Sequence, residues 1–134
     1  MTYGELAARS DAFAAALEAE GVEKGDRVAI LLPQGFETVI AHLAIYKLGA
    51  VALPLALLFG ADALLFRLKN AEAKAIVTNR FGTERLRPIR TELPTLELVV
   101  TTEPADEPTA KSFQDLLARH AGPFEAVDSG PDDP

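Results

Sequence analysis

The sequence predicts an α/β fold in which a doubly wound, mainly parallel sheet is flanked by helices. Two observations support this prediction. Short apolar segments alternate along the chain with longer segments whose apolar residues recur at helical spacing. The apolar segments are nearly continuous and their connections are short, as is typical of parallel strands that are covered on both faces.

Length and composition are those of one globular domain. The chain has 134 residues, of which 49% are hydrophobic and 25% charged, which is sufficient for one hydrophobic core. The net charge of -7 argues against a nucleic-acid-binding surface, since such a surface is basic. The absence of cysteine excludes disulfides and thiolate metal sites. No signal peptide precedes the first helix, and the longest apolar run, residues 50–59, is too short to span a bilayer, so we expect a cytoplasmic protein.

The first helix is predicted to begin at a capping box. Thr2 and Glu5 have the T-x-x-E spacing at which each side chain bonds the other residue's backbone N–H. Apolar residues at helical spacing follow, and Gly21 suits the position just after the helix. Residues 27–32 then form a nearly continuous apolar run after a Gly-Asp turn, which predicts the first buried strand.

The second helix is predicted to begin at Pro33, where a missing N–H costs no hydrogen bond, and to end at Gly49. Its predicted inward face consists of Phe36, Val39, Ile40, Leu43 and Tyr46. Residues 51–53 are predicted to be a second buried strand.

The second half of the chain repeats the alternation. We predict a short helix over residues 62–69, with Leu64, Leu65 and Leu68 inward and Asn70 as its C-cap. The remaining predicted elements are a buried strand at residues 75–78, a helix at 83–93 that Pro88 shortens or kinks, a strand at 96–101, an exposed loop at 103–109, and a helix capped by Ser112 that ends at Gly122.

Motifs for self-contained chemistry are absent from the sequence. Neither G-x-G-x-x-G nor G-x-x-x-x-G-K-[ST] occurs, so no phosphate cradle is predicted. His42 and His120 are far apart, without a carboxylate or second histidine one turn away, and we predict no metal site. An arginine cluster could contact an anion, but the favoured interpretation is a solvated helix face that pairs with Glu84 and Glu92; the cluster comprises Arg80, Arg85, Arg87 and Arg90.

Three segments in this order and spacing resemble a known family. Residues 1–6, MTYGEL, are similar to an (L/M)-T-Y-x-E-L opening motif, and residues 47–55, KLGAVALPL, to an L-K-x-G-A-x-x-x-P-L motif. Residues 25–33, GDRVAILLP, supply the turn and strand between them. The chain thereby resembles the N-terminal portion of the AMP-forming acyl-CoA synthetases, which belong to the adenylate-forming enzymes. The sequence from residue 55 to residue 78 is most similar to the short- and medium-chain branch of that family.

The resemblance implies a two-step reaction in the intact enzyme. A carboxylate attacks the α-phosphate of ATP with the help of Mg²⁺, and the thiol of coenzyme A then displaces AMP from the acyl-adenylate. In the family, the loop aligned with residues 53–60 lies near the coenzyme A channel, so the resemblance makes Leu58, Phe59 and Gly60 candidate channel-wall residues. No catalytic residue is transferred to this chain, because the family's phosphate loop, adenine motif, ribose ligand and C-terminal lysine match no position in it.

The same resemblance implies an incomplete N-terminal subdomain of the adenylate-forming fold. We expect residues 1–127 to be a partial α/β subdomain, and residues 128–134 to be an acidic linker toward a phosphate-loop strand. The chain alone is expected to be inactive, to need no cofactor, to bind no nucleic acid and to self-associate through uncovered apolar surface.

Two other classes stay open from the sequence. One is a stand-alone α/β binding module, although a receiver-type domain would need acidic clusters at the strand ends that this chain does not have. The other is a pseudoenzyme fragment that acts through protein–protein contacts. Calorimetry with ATP, AMP and coenzyme A would separate them, because only the module should bind one of these tightly.

Overall fold

The structure is a computed structural model that describes residues 2–104 and 109–120. Helices and strands alternate along the chain as predicted. No helix in this part of the chain is long and apolar enough to cross a membrane. The elements are α1 (Tyr3–Ala19), β1 (Arg27–Leu31), α2 (Phe36–Leu48), β2 (Val51–Pro54), α3 (Ala61–Ala71), β3 (Ala75–Thr78), α4 (Arg80–Leu86) with a following 3-10 helix (Arg87–Glu92), β4 (Leu98–Thr101), β5 (Lys111–Ser112) and α5 (Phe113–Arg119).

The described strands form one five-stranded sheet in the order β2-β1-β3-β4-β5, with parallel pairing throughout. The chain leaves β1 toward β2 on one side and returns to place β3 on the other side. The order therefore reverses between β1 and β3. This confirms the predicted α/β class with a parallel sheet and flanking helices.

Alternate residues of the central strands enter two separate cores. In β1, Val28 and Ile30 pack with α1, α2 and α5, whereas Ala29 and Leu31 pack with α3, α4 and the 3-10 helix. The first core includes an edge-to-face contact in which the rings of Phe13 and Phe113 lie 4.8 Å apart. Both faces of β1, β3 and β4 are thus covered by helices of this chain.

The helix ends that carry strong local signals are confirmed. The Glu5 N–H donates to Thr2 Oγ1, and the Thr2 N–H donates to Glu5 Oε1, both at 3.0 Å. Gly21 has a φ of +102°, which only glycine adopts without strain. Ser112 caps α5 by accepting from the Asp115 N–H at 3.3 Å.

The predicted start and inward face of α2 are wrong. The helix begins at Phe36 with Gly35 as N-cap, and Pro33 lies in the preceding turn, where its carbonyl oxygen accepts from Thr38 Oγ1 at 2.7 Å. Of the predicted face only Ile40 is fully buried, while Phe36, Val39 and Tyr46 are exposed. The buried face is narrower and contains two alanines, which allow close approach to α1; it comprises Ile40, Ala41, Ala44, Ile45 and Leu48.

Three further predictions need correction. α3 ends at Glu72 in the left-handed conformation, rather than at Asn70. Residues 51–53 belong to β2, an edge strand that is only partly covered, rather than a buried one. The helix predicted for residues 83–93 begins at Arg80, because Asn79 caps it, and tightens to a 3-10 helix around Pro88.

Some predicted features lie outside the described residues, and one element was not predicted. The features outside the described residues are Gly122, most of the 103–109 loop and the 128–134 linker. The two-residue strand β5 was not predicted, because it is too short to produce an apolar pattern.

Candidate functional site

A crevice lies at the carboxyl ends of the strands. In open parallel sheets, ligands bind beyond the carboxyl ends of the strands, at the point where the strand order reverses. A crevice of about 220 Å³ lies at that point here, beside the ends of β1, β3 and β4. Its lining residues are Leu32, Pro33, Glu37, Asn79, Thr102 and Glu103.

A buried hydroxyl joins two of the strand ends beside the crevice. Thr78 Oγ1 donates to the carbonyl oxygen of Leu31 at 2.8 Å and thereby joins the last residues of β3 and β1. Gly82, in the first turn of α4, lies directly against this hydroxyl. A Cβ added at Gly82 would stand 1.8 Å from Thr78 Oγ1, so only glycine fits there without a shift.

The polar side chains that rim the crevice are engaged with backbone. Asn79 Oδ1 accepts from the Gly82 N–H at 2.9 Å, and Glu103 Oε1 accepts from the Arg80 N–H at 3.1 Å. The lining residues include two carboxylates, those of Glu37 and Glu103, and no Lys or Arg. By charge, this crevice does not suit the phosphates of a nucleotide.

The sequence-predicted site residues lie on a different connection, between β2 and α3. Leu58 is 94% exposed at the tip of this loop, and Phe59 is half-buried against the second core. Gly60 is the N-cap of α3, with open space where a Cβ would be. The three consecutive residues therefore lie on an accessible loop, with the side chain of Leu58 and the backbone of Gly60 open to contact.

Two arginines fix that loop. The guanidinium of Arg67 lies 5.2 Å from the centre of the Phe59 ring. Arg85 Nη1 donates a short hydrogen bond to the carbonyl oxygen of Phe59, while its guanidinium stacks 4.4 Å from the centre of the Phe81 ring. The loop is thus tied to α4, the helix that follows β3, a strand separated from β2 by β1.

This role of Arg85 was not predicted from the sequence. The four arginines were expected to lie on one solvated helix face and to pair with Glu84 and Glu92, but the guanidinium of Arg85 binds a carbonyl 26 residues earlier in the chain. No local pattern can reveal such a contact, because it depends on the packing of α3 beside α4.

The histidines do not form a metal site. The ring of His42 lies 6.2 Å from that of Tyr46 on the outer side of α2, and His120 is the C-cap of α5. Within the residues that the structure describes, no three His, Cys, Asp or Glu side chains are grouped so that they could hold a metal ion.

Comparison with known proteins gives a consistent family assignment. A family model described as "AMP-binding enzyme" matches residues 1–134. The acetyl-coenzyme A synthetase of Streptomyces avermitilis is 42% identical over 88 residues, which are 66% of this chain and 14% of that protein. The 3-hydroxypropionyl-coenzyme A synthetase of Sulfurisphaera tokodaii is 44% identical over 78 residues, which are 58% of this chain and 12% of that protein.

Solved structures extend the similarity to the whole fold. The anthranilate CoA ligase AuaEII, in complex with anthranoyl-AMP, superposes with a TM-score of 0.93 at 26% identity and covers 99% of this chain. The matched region is 26% of the ligase chain. This chain therefore spans about one-seventh of the length of the curated relatives it matches, and about a quarter of that solved structure.

Proposed function

Because this chain belongs to the AMP-binding enzyme family, we propose that it is the N-terminal part of an acid–thiol ligase. The ligase activates a short- or medium-chain carboxylic acid with ATP and transfers the acyl group to coenzyme A. The observation that carries the proposal is the family match over residues 1–134. The relatives named as acetyl- and 3-hydroxypropionyl-coenzyme A synthetases support a small carboxylate as the substrate.

The chemistry is shared between this chain and the remainder of the ligase. Attack of a carboxylate on the α-phosphate of ATP needs positive charge around the phosphates, which Mg²⁺ and basic or N–H donors supply. The crevice of this chain offers Glu37 and Glu103 instead. We therefore assign ATP, Mg²⁺ and the adenylation step to other parts of the ligase and expect the 134-residue chain alone to be inactive.

The contribution that suits this chain is a wall for coenzyme A. Leu58 presents an exposed apolar side chain of the kind that packs against a pantetheine arm, and Gly60 leaves its backbone open to close approach. Phe59 stiffens the loop between them, since its carbonyl is bound by Arg85 and its ring by Arg67. The proposal extends to a cytoplasmic location and to self-association of the chain.

A chimera tests the ligase proposal. The aligned segment of the Streptomyces avermitilis acetyl-coenzyme A synthetase is replaced by this chain, and release of AMP is measured with acetate, ATP and coenzyme A. We expect the chimera to release AMP only when all three substrates are present. A chimera that folds, as judged by circular dichroism, but exchanges no pyrophosphate into ATP would refute the proposal.

The coenzyme A wall has its own test in the same chimera. Leu58→Asp should raise the KM for coenzyme A at least several-fold and leave acetate-dependent ATP–pyrophosphate exchange unchanged, because only the second step uses the thiol. The matched control is Tyr46→Asp, which places the same charge on an exposed side chain across the sheet. Equal effects of the two substitutions on the KM for coenzyme A would show that the loop does not line the coenzyme A channel.

A further inference from the structure

The outer side of α1 and α2 carries an apolar groove that the proposed ligase chemistry does not use. This α1–α2 groove encloses about 330 Å³ and is lined mainly by apolar side chains. Its walls are Tyr3, Leu6, Ala7, Ser10, Val39, Leu43 and Lys47. Two aromatic side chains, Phe36 and Tyr46, stand exposed on the same outer side of α2.

The apolar residues on the outer side of α2 follow a self-complementary spacing. Phe36, Val39, Leu43 and Tyr46 are separated by three, four and three residues, which places them along one stripe of the helix. The pattern is symmetric about residue 41. Two antiparallel copies of α2 would therefore set Phe36 opposite Tyr46 of the second copy, and Val39 opposite Leu43 of the second copy.

We propose that the α1–α2 groove is the interface between two copies of this chain, packed with antiparallel α2 helices about a two-fold axis. A two-fold interface uses the same patch on both subunits, so the patch must be complementary to itself. The symmetric stripe meets this requirement, and the groove beside it receives the aromatic side chains of the second copy.

The charge distribution favours contact at this surface. Two chains with a net charge of -7 repel one another, so they approach most easily where charge is balanced. The charged side chain in the groove is that of Lys47, whose Nζ lies 2.5 Å from Asp11 Oδ1 and 2.8 Å from Ser10 Oγ. The ammonium group is thus compensated within each copy and needs no partner from the other.

The available area matches a weak dimer. Tyr3, Phe36 and Tyr46 are 87%, 56% and 66% exposed, which leaves roughly 400 Å² at about 200 Å² for a whole aromatic side chain. With the partly exposed aliphatic residues of the groove, two copies would remove roughly 1,000 Å² from water, near the lower limit for a specific interface. A dimer of this size dissociates on dilution.

The β2 edge of the sheet is a poorer route to association. β2 has four residues and ends in Pro54, which has no N–H to donate to another strand. Pairing between the edges of two sheets would therefore be short. The groove offers the larger apolar surface.

Sedimentation velocity of the full chain over the micromolar range tests the proposal. The dimer fraction should rise with concentration, and Tyr46→Glu or Val39→Glu should shift the dissociation constant at least tenfold toward monomer. Phe66→Glu is the matched control, because Phe66 is 67% exposed on α3 at the other face of the sheet. A monomer at every concentration, or equal effects of Phe66→Glu and Tyr46→Glu, would overturn it.

Cysteine pairing fixes the arrangement, since the chain contains no native cysteine. Phe36→Cys mixed with Tyr46→Cys should form a disulfide heterodimer under mild oxidation. Phe36→Cys alone should not, because two Phe36 positions lie about 15 Å apart along antiparallel helices, beyond the ~7 Å between Cα atoms that a disulfide spans. Efficient pairing of Phe36→Cys with itself would refute the antiparallel arrangement. A chain that stays monomeric while Tyr46→Glu abolishes binding of a hydrophobic dye would show that the groove is accessible but does not join two copies, which overturns the proposal.

Discussion

Gly82→Ala is the substitution that most directly tests how the crevice is built. The new Cβ would lie 1.8 Å from Thr78 Oγ1, 3.0 Å from Thr78 Cβ and 3.1 Å from Leu31 Cδ2. The Thr78 hydroxyl cannot rotate away freely, because it donates a buried hydrogen bond to the carbonyl oxygen of Leu31. The clash must therefore displace either that hydrogen bond or the first turn of α4.

The magnitude follows from three contributions. Forcing an extra carbon into a packed core costs about 1–3 kcal/mol, and loss of the Thr78 hydrogen bond adds about 1 kcal/mol. The higher helix propensity of alanine returns about 1 kcal/mol. We expect the free energy of unfolding to fall by about 2 kcal/mol, as measured by urea denaturation followed by circular dichroism.

Two comparisons make the result decisive. Gly4→Ala, in the first turn of α1, places its Cβ 4.0 Å from the nearest side-chain atom and should stabilise the chain slightly. The double variant Gly82→Ala/Thr78→Ala should lose less than the sum of the two single variants, because removing Oγ1 removes the closest contact. If Gly82→Ala is as stable as the unmodified chain, or if the two changes are additive, the close approach of Gly82 to Thr78 does not determine the geometry of this edge.

Three further predictions address the loop, the capping box and the core. Arg85→Ala should speed hydrogen exchange of the amides at residues 56–60 and lower the free energy of unfolding by about 1 kcal/mol. Arg80→Ala, at an exposed position, should do neither. Equal hydrogen exchange in both variants would contradict the contact of Arg85 with Phe59. Hydrogen bonds from the backbone and side chain of Thr2 lower the pKa of Glu5 below its ordinary value of 4.5. The Glu5 carboxylate therefore stabilises the fold above pH 4.5, and this stabilisation is lost as the pH falls through the folded-state pKa. Glu5→Gln should weaken the dependence of the free energy of unfolding on pH in that range, and NMR titration of the Glu5 carboxyl should place its pKa below 4.5. The chain should unfold in one cooperative transition that different probes report alike, and separate transitions by near- and far-ultraviolet circular dichroism would contradict it.

The sequence predicted the elements that have two independent signals. α1 has both a capping box and a C-terminal glycine, and the strands β1, β3 and β4 are apolar runs bounded by turn residues. β5 has neither signal and was missed. The inward face of α2 was predicted wrongly because its large residues and its alanines both recur at helical spacing, and only the close fit to α1 decides which stripe is buried.

For the candidate coenzyme A loop, the only signal in the sequence was the family motif that precedes it. Leu58, Phe59 and Gly60 were named from that resemblance, and their role as a channel wall stays a prediction. The contact of Arg85 with that loop joins residues 26 positions apart, and the fit of Gly82 against Thr78 depends on backbone geometry. Neither produces a periodic pattern in the sequence.

Apolar surface is buried on the central strands of this chain and exposed mainly on its helices and one loop. The central strands are covered, as their continuous apolar runs predicted, because Ile30, Val77 and Val100 are all buried at 2% exposure or less by helices of this chain. Among the described residues, the large exposed apolar side chains lie mainly on the helices and on the loop at Leu58, with Val51 on the edge strand β2 as the exception. Surfaces on helices and loops associate through side chains and leave the hydrogen bonds of the sheet intact. Any partner of this chain, whether a second copy or the remainder of a ligase, can therefore dock on the helices and the loop without disturbing the pairing of β1, β3 and β4, and changes at these surfaces should alter association without unfolding the core.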